Sequence, residues 1–144
     1  AYDIYSLNNE SPALGLGRIG YLQEEMSLED FALVVKKTFG MDGIRMIGDG
    51  KSKVKKVAIL GGDGNKFIWK AKRQGADVFV SGDIYYHTAH DAMMMGLNVV
   101  DAGHHIEKVM QEGVAAHLAR RCSEKGYVVN IFASNAETNP FTYM

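Results

Sequence analysis

Cysteine is almost missing from this sequence: Cys122 is the only one in 144 residues. No internal disulfide can form, in keeping with a reducing compartment. Long apolar runs are missing too. None approaches the roughly 20 residues that a membrane span requires, and Ala1-Tyr2-Asp3-Ile4 lacks the basic start and apolar core of a signal peptide. No membrane partner and a cytoplasmic location are therefore expected. Excess charge of either sign is the third absence, with 16 Lys and Arg against 17 Asp and Glu. That balance gives no sign of a surface for coating nucleic acid or of an acidic tail, and leaves partners to be chosen by local patches. An initiating methionine is also missing. The chain opens on a strand-like Tyr2-Asp3-Ile4-Tyr5 with no partner before it, and so reads as a fragment of a longer protein.

What is present is enough for one domain, residues 1–144, burying roughly two-thirds of its unfolded surface. Residues 2–7 and 15–22 alternate apolar with polar around a loop at Ser11-Pro12 and could form two paired strands. Gly15, Gly17 and Gly20 argue for an edge, a bulge or a close backbone approach there. Ser27-Leu28-Glu29-Asp30 reads as a capping box. The helix it opens carries Leu28, Phe31, Val34, Val35 and Phe39 at helical spacing and ends before Gly40.

After an extended segment at 44–47 and a polar turn at 48–50, one pattern repeats three times. Strand 54–60, apolar as if covered on both faces, leads through Gly61-Gly62-Asp63-Gly64 into helix 65–74. Strand 77–80 leads through Ser81-Gly82-Asp83 into helix 85–95. Strand 98–101 leads through Ala102-Gly103 into a helix from about 104 to 124, and a last strand is expected over 127–132. Repeated strand-to-helix units predict an α/β fold, a mixed sheet in three layers with helices on both faces. Ligands of such sheets gather at the carboxyl ends of the strands, where Gly61-Gly62, Ser81-Gly82-Asp83 and Gly103-His104 all fall.

Candidate chemistry lies at that edge. His104 and Glu107, three apart, leave one face of a helix together and suit a borderline divalent ion such as zinc, manganese or iron. The bland alternative is a helix start at which Glu107 favours the dipole and His104 caps or faces water. His105 competes with His104 as the ligand, although the spacing to Glu107 favours His104. Asp83 and His87 could form a general acid–base pair or could orient a ligand from outside; otherwise Asp83 is an N-cap and His87 its hydrogen-bonded neighbour. His117, on the stripe Ile106, Val109, Met110, Val114, Leu118, reads as a partly buried packing residue, and His90 as structural. The glycines at 61–64 match no phosphate-loop or dinucleotide fingerprint, so no cofactor-binding residue is assigned.

The ordered series Tyr2-Asp3-Ile4-Tyr5, Gly15-Leu16-Gly17-Arg18-Ile19-Gly20, Val57-Ala58-Ile59-Leu60-Gly61-Gly62, Gly75-Ala76-Asp77-Val78, Gly82-Asp83-Ile84-Tyr85-Tyr86-His87, Asp101-Ala102-Gly103-His104 and Glu107 resembles the carboxyl-terminal half of the NIF-three-like proteins, also called GTP cyclohydrolase 1 type 2 homologs. The resemblance implies two divalent metal ions between two similar α/β halves. It maps His104 and Glu107 onto the ligands of the carboxyl-terminal half; the other ligands belong to the amino-terminal half, which this chain lacks. Some members space the pair by four residues, which keeps His104 and His105 both in view. The resemblance also implies a toroidal homohexamer, and a start just after a PII-like insert.

Two functions follow from it. One is a dinuclear metal-dependent hydrolase of a small nucleotide-like or phosphorylated substrate, its two cations activating water and stabilising developing charge, with His87 a candidate catalytic proton carrier. The other is a metal-stabilised hexameric regulatory or scaffold protein without turnover. Guanine recognition is implied by the family's name and by none of these residues.

Overall fold

The computed structural model describes residues 5–11 and 14–144. Contacts divide the chain into two compact units, one running to Ile106 and including Tyr143, the other Glu107–Thr142 with Met144. The first unit holds a six-stranded mixed sheet. Its strands are β1 (Tyr5–Ser11), β2 (Leu14–Ser27), β3 (Arg45–Ile47), β4 (Lys53–Asp63), β5 (Val78–Gly82) and β6 (Asn98–Asp101), in the order β1-β2-β4-β5-β6-β3. β4, β5 and β6 run parallel, whereas β1 on β2, β2 on β4 and β3 on β6 are antiparallel.

The three strand-to-helix units form as the sequence predicts. β4 leads to a 3-10 turn at Asn65–Phe67 and then α2 (Ile68–Arg73), β5 leads to α3 (Tyr86–Met94), and β6 leads to a 3-10 segment at His104–Val109. Preceding them, α1 (Leu28–Thr38) starts at the capping box: Ser27 Oγ accepts the Asp30 amide at 3.1 Å and donates to Asp30 Oδ2 at 2.6 Å. Such a cap contributes about 1 kcal/mol.

Alternation along the strands builds two cores, one on each face of the sheet. Phe79, Val99, Ala58 and Ile19 pack with Ile68 and Ala71 of α2 and Ala92 of α3. Val78, Val80, Val100 and Val54 pack with Leu28, Phe31, Ala32 and Val35 of α1. Helices thus cover both faces, giving the three-layer α/β fold.

Details depart from expectation for physical reasons. β5 is buried at every position, while β4, read as covered on both faces, is only partly covered. On α1, Ala32 is buried and Val34 is exposed, because the helix turns its Ala32 side rather than its Val34 side to the sheet. β2 is not an edge strand; its irregularity is a register shift against β4 between Tyr21 and Met26. The expected start of the first strand at residues 2–4, and Pro12 of the loop, lie outside the described residues.

In the second unit, α4 (Met110–Glu124) is separate from the 3-10 segment, so the single helix expected from 104 to 124 is two elements. α4 buries none of its residues. His117 is accordingly exposed rather than partly buried, lying 3.2 Å from Arg120 Nη2 through its Nδ1. Periodicity identifies an apolar face but not a neighbour to cover it. The strand expected at Tyr127–Phe132 does not form; residues 127–144 lie outside helix and strand. Six residues of β-favouring sequence have no ladder without a second strand to pair with. Among the described residues, no helix is long and apolar enough to cross a membrane.

Candidate functional site

Because β4, β5 and β6 are parallel, their carboxyl ends share one edge of the sheet, and the loops leaving them are tightly interlocked. Ser81, fully buried, donates through Oγ to the Gly62 carbonyl at 3.2 Å, and its own carbonyl accepts the Ala102 amide at 2.8 Å. Gly82 shows how close the approach is. A Cβ there would lie 2.5 Å from the Gly103 carbonyl carbon and 2.8 Å from the His104 nitrogen, and neither backbone atom can step aside.

Asp83 follows with φ of 55°, the one non-glycine among the described residues with a left-handed backbone. Aspartate tolerates this region better than most residues, but the conformation still costs about 1–3 kcal/mol and persists only when its surroundings impose it. Two sets of contacts impose it here. Asn65 donates through Nδ2 to the Asp83 carbonyl at 2.8 Å, and its Oδ1 accepts the Tyr85 amide at 2.9 Å. On the other side the buried carboxylate of Asp101 accepts the Ile84 amide at 3.0 Å through Oδ2 and the Gly103 amide at 2.9 Å through Oδ1. Arg45 completes this brace, its Nη2 donating both to Asp101 Oδ2 and, at 2.9 Å, to the Ile84 carbonyl.

The outcome is a contact between side chains of two different strand ends: His104 Nδ1 lies 2.6 Å from Asp83 Oδ2. An ionised carboxylate only accepts, so Nδ1 carries the proton and a neutral ring keeps its lone pair on Nε2. Both side chains are about half exposed, at 55% and 41%. So exposed a contact, ion pair or hydrogen bond, is worth about 0–1 kcal/mol, less than the strain at Asp83. The pair therefore matters for where it holds the imidazole rather than for stability. Beside it, Asp63 accepts the Asn65 backbone amide at 2.9 Å and the Asn65 side chain. These bonds, the amide first, hold its carboxyl below the usual carboxylate range, with Tyr85 and Lys66 adding to the effect and slight burial opposing it.

The sequence candidates are distributed around this pair. His104 is at its centre. Glu107 is exposed on the same 3-10 segment, and His105 is half-buried next to His104. His87 begins α3, where its exposed ring meets the Tyr86 ring edge-on at 5.6 Å; the histidine that pairs with Asp83 is His104, not His87. Tyr86 also meets His90, at 4.7 Å between ring centroids. Three residues escaped the sequence reading, namely Asp101 in its bracing role, Arg45 and Asn65. Asp101 carried a signal, as a carboxylate directly following the apolar Val99-Val100. Arg45 carried none, since its partner lies 56 residues away.

Among the described residues, no three His, Cys, Asp or Glu side chains converge to hold a metal ion.

A three-layer α/β protein with an oriented histidine at the carboxyl edge of its sheet is the class that fold and site define. Within that class the chain belongs to the Duf34/NIF3 (NGG1p interacting factor 3) family, which it matches over residues 3–140. It is 58% identical over 144 residues to the GTP cyclohydrolase 1 type 2 homolog of Bacillus subtilis and 52% identical over 144 residues to that of Halalkalibacterium halodurans. In each case it covers 100% of this chain but 39% of the relative, so it spans about two-fifths of their length. The solved Bacillus cereus protein related to NIF3 superimposes with a TM-score of 0.88 at 55% identity, over 90% of this chain and 36% of that one.

Proposed function

We propose that the intact protein is a divalent-metal-dependent hydrolase of a small nucleotide-like or phosphorylated substrate, and that this chain contributes His104 and Glu107 to its metal site. One observation carries the reading: the hydrogen bond from His104 Nδ1 to Asp83. Metal-binding histidines almost always donate their second ring nitrogen to a carboxylate, carbonyl or water, which fixes the tautomer and turns the free nitrogen toward the ion. Zinc, manganese and iron all accept such a nitrogen alongside a carboxylate oxygen. When bound, such ions supply Lewis acidity toward water and toward a developing oxyanion. This chain's own residues would hold and orient: Asp83 keeps the imidazole in register, and the interlocked loops keep Asp83 in place.

Because no three donors converge among the described residues, two metals would need further ligands, as from a segment matching the three-fifths of the relatives' length that this chain does not span. A homohexameric assembly fits the same reading. The relatives' name makes GTP the first substrate to assay. The test is bound metal per chain in the intact protein. His104→Ala or Glu107→Ala is expected to lower it, and an unchanged stoichiometry in both overturns the assignment. A metal-loaded protein that turns over no member of a broad nucleotide and phosphoester panel favours the scaffold role instead.

A further inference from the structure

Asp101, paired with Arg45, hydrogen-bonds the residue next to each member of the Asp83–His104 contact, and resting on the reading of His104 as a metal ligand, we propose that Arg45 and Asp101 are positioning residues for it. Asp101 is 2% exposed, and its two oxygens divide between the two loops: Oδ2 takes the amide of Ile84, just after Asp83, and Oδ1 takes the amide of Gly103, just before His104. One buried, rigid group therefore fixes the spacing between both ends of the hydrogen bond. Arg45 adds a constraint that a carboxylate alone cannot. With Asp101 accepting the Ile84 N–H and Arg45 donating to the Ile84 C=O, both polar groups of that residue are held. The backbone beyond Asp83 then has no freedom to relax out of its left-handed conformation.

A purely structural ion pair would not need this placement. Backbone pairing already joins the two strands, with Arg45 opposite Asp101, Met46 opposite Val100 and Ile47 opposite Val99. The side-chain contacts go beyond that ladder, into the two loops that carry Asp83 and His104. A guanidinium suits the task because the two N–H bonds of its Nη2 point in fixed directions within a rigid plane and reach both acceptors, whereas an ammonium is a freely rotating point charge.

The test uses the full-length protein labelled with 15N-histidine, metal-free, at a pH where the ring is neutral, with the His104 signals assigned from His104→Gln. In the parent protein His104 is expected to carry its proton on Nδ1. In Arg45→Gln the population moves toward the Nε2–H tautomer that free imidazole prefers, and zinc affinity, measured by competition with a chelating dye, falls roughly 10- to 100-fold. Arg45→Lys, with the charge but not the planar donor, falls between the two, and carries the test if Arg45→Gln does not fold. A lowered melting temperature with the parent tautomer and parent zinc affinity overturns the proposal, because the pair is then merely structural. If zinc binding proves indifferent to His104→Gln, the metal reading fails on its own account; the tautomer shift still decides whether Arg45 and Asp101 position His104.

Discussion

At the amino ends of the parallel strands, Asp77 accepts the amides of Lys55 and Lys56 at 3.0 and 2.7 Å, while its carbonyl takes the Asn98 side chain at 3.0 Å. At the carboxyl ends, Asp101 likewise accepts two backbone amides. The two devices are chemically alike and serve different purposes. Asp77 is half-buried and ties strand to strand, so its product is sheet register. Asp101 is buried, is paired with Arg45, and ties loop to loop next to a left-handed aspartate and a histidine. The same hydrogen-bonding pattern sets strand register at one end and holds the Asp83–His104 pair at the other. Surroundings, not residue type, separate the two roles.

Removing the two carboxylates should produce the widest divergence. Asp101→Ala leaves two backbone amides without their acceptor while the exposed Arg45 guanidinium can turn to water, and should cost about 2–4 kcal/mol. Asp77→Ala, in a wetter setting, should cost about 1–3 kcal/mol. Chemical denaturation of both variants checks the order, and equal losses would break the comparison.

Glycines at the two ends offer a second contrast. Gly82→Ala forces a methyl group into the Gly103 and His104 backbone, an overlap worth about 1–3 kcal/mol or more and felt at the histidine. Gly75→Ala at the amino end meets only the Lys56 Nζ at 3.7 Å, and pays about 1–2 kcal/mol for its φ of +77° alone. Thermal melts should rank them in that order, with metal affinity altered by Gly82→Ala only.

Asp83→Gly sharpens the distinction between stability and site geometry. Relief of the left-handed strain offsets the small loss of the exposed pair, so stability should hold or rise by about 1 kcal/mol. Metal affinity should nevertheless fall about 10-fold or more as His104 loses its orienting partner. Titration calorimetry alongside a melt would expose a simple destabilisation instead.

The smallest effect concerns acid. The Asp63 carboxyl titrates below its ordinary value in the folded protein, so the unfolded chain binds its proton first as pH drops. Its contribution is fully present above the ordinary carboxylate value and is lost as pH falls through the lowered one. Asp63→Asn should therefore lower stability slightly at neutral pH, flatten the stability–pH curve in the acid range and leave the most acid conditions nearly untouched, as denaturation at several pH values will show.

The three strand-to-helix units could be read from the chain because apolar runs, glycine turns and helical stripes are local signals. The carboxyl-edge location of His104 followed from connectivity for the same reason. Asp83 stands out in the sequence, but spacing offers only an N-cap role or a pairing with His87, four residues away; its partner lies 21 residues on, across a strand boundary. Arg45 was invisible because nothing within a window around it distinguishes a bracing arginine from a solvated one. The stripe on α4 and the apolar segment at 127–132 were over-read, since pattern reports what a surface is made of and not what meets it.

The brevity of β3 has one more implication. With three residues, its backbone ladder against β6 can hold alignment only weakly, and a slip by one position would turn every side chain to the opposite face. Arg45 faces Asp101 in the native alignment, and either neighbouring alignment would offer that carboxylate Ile44 or Met46 instead, neither able to neutralise it. The ion pair thus serves as a checksum for the edge strand: the alignment that completes the brace behind His104 is also the one in which the buried charge is matched, so a misthreaded edge and a misplaced histidine are rejected together.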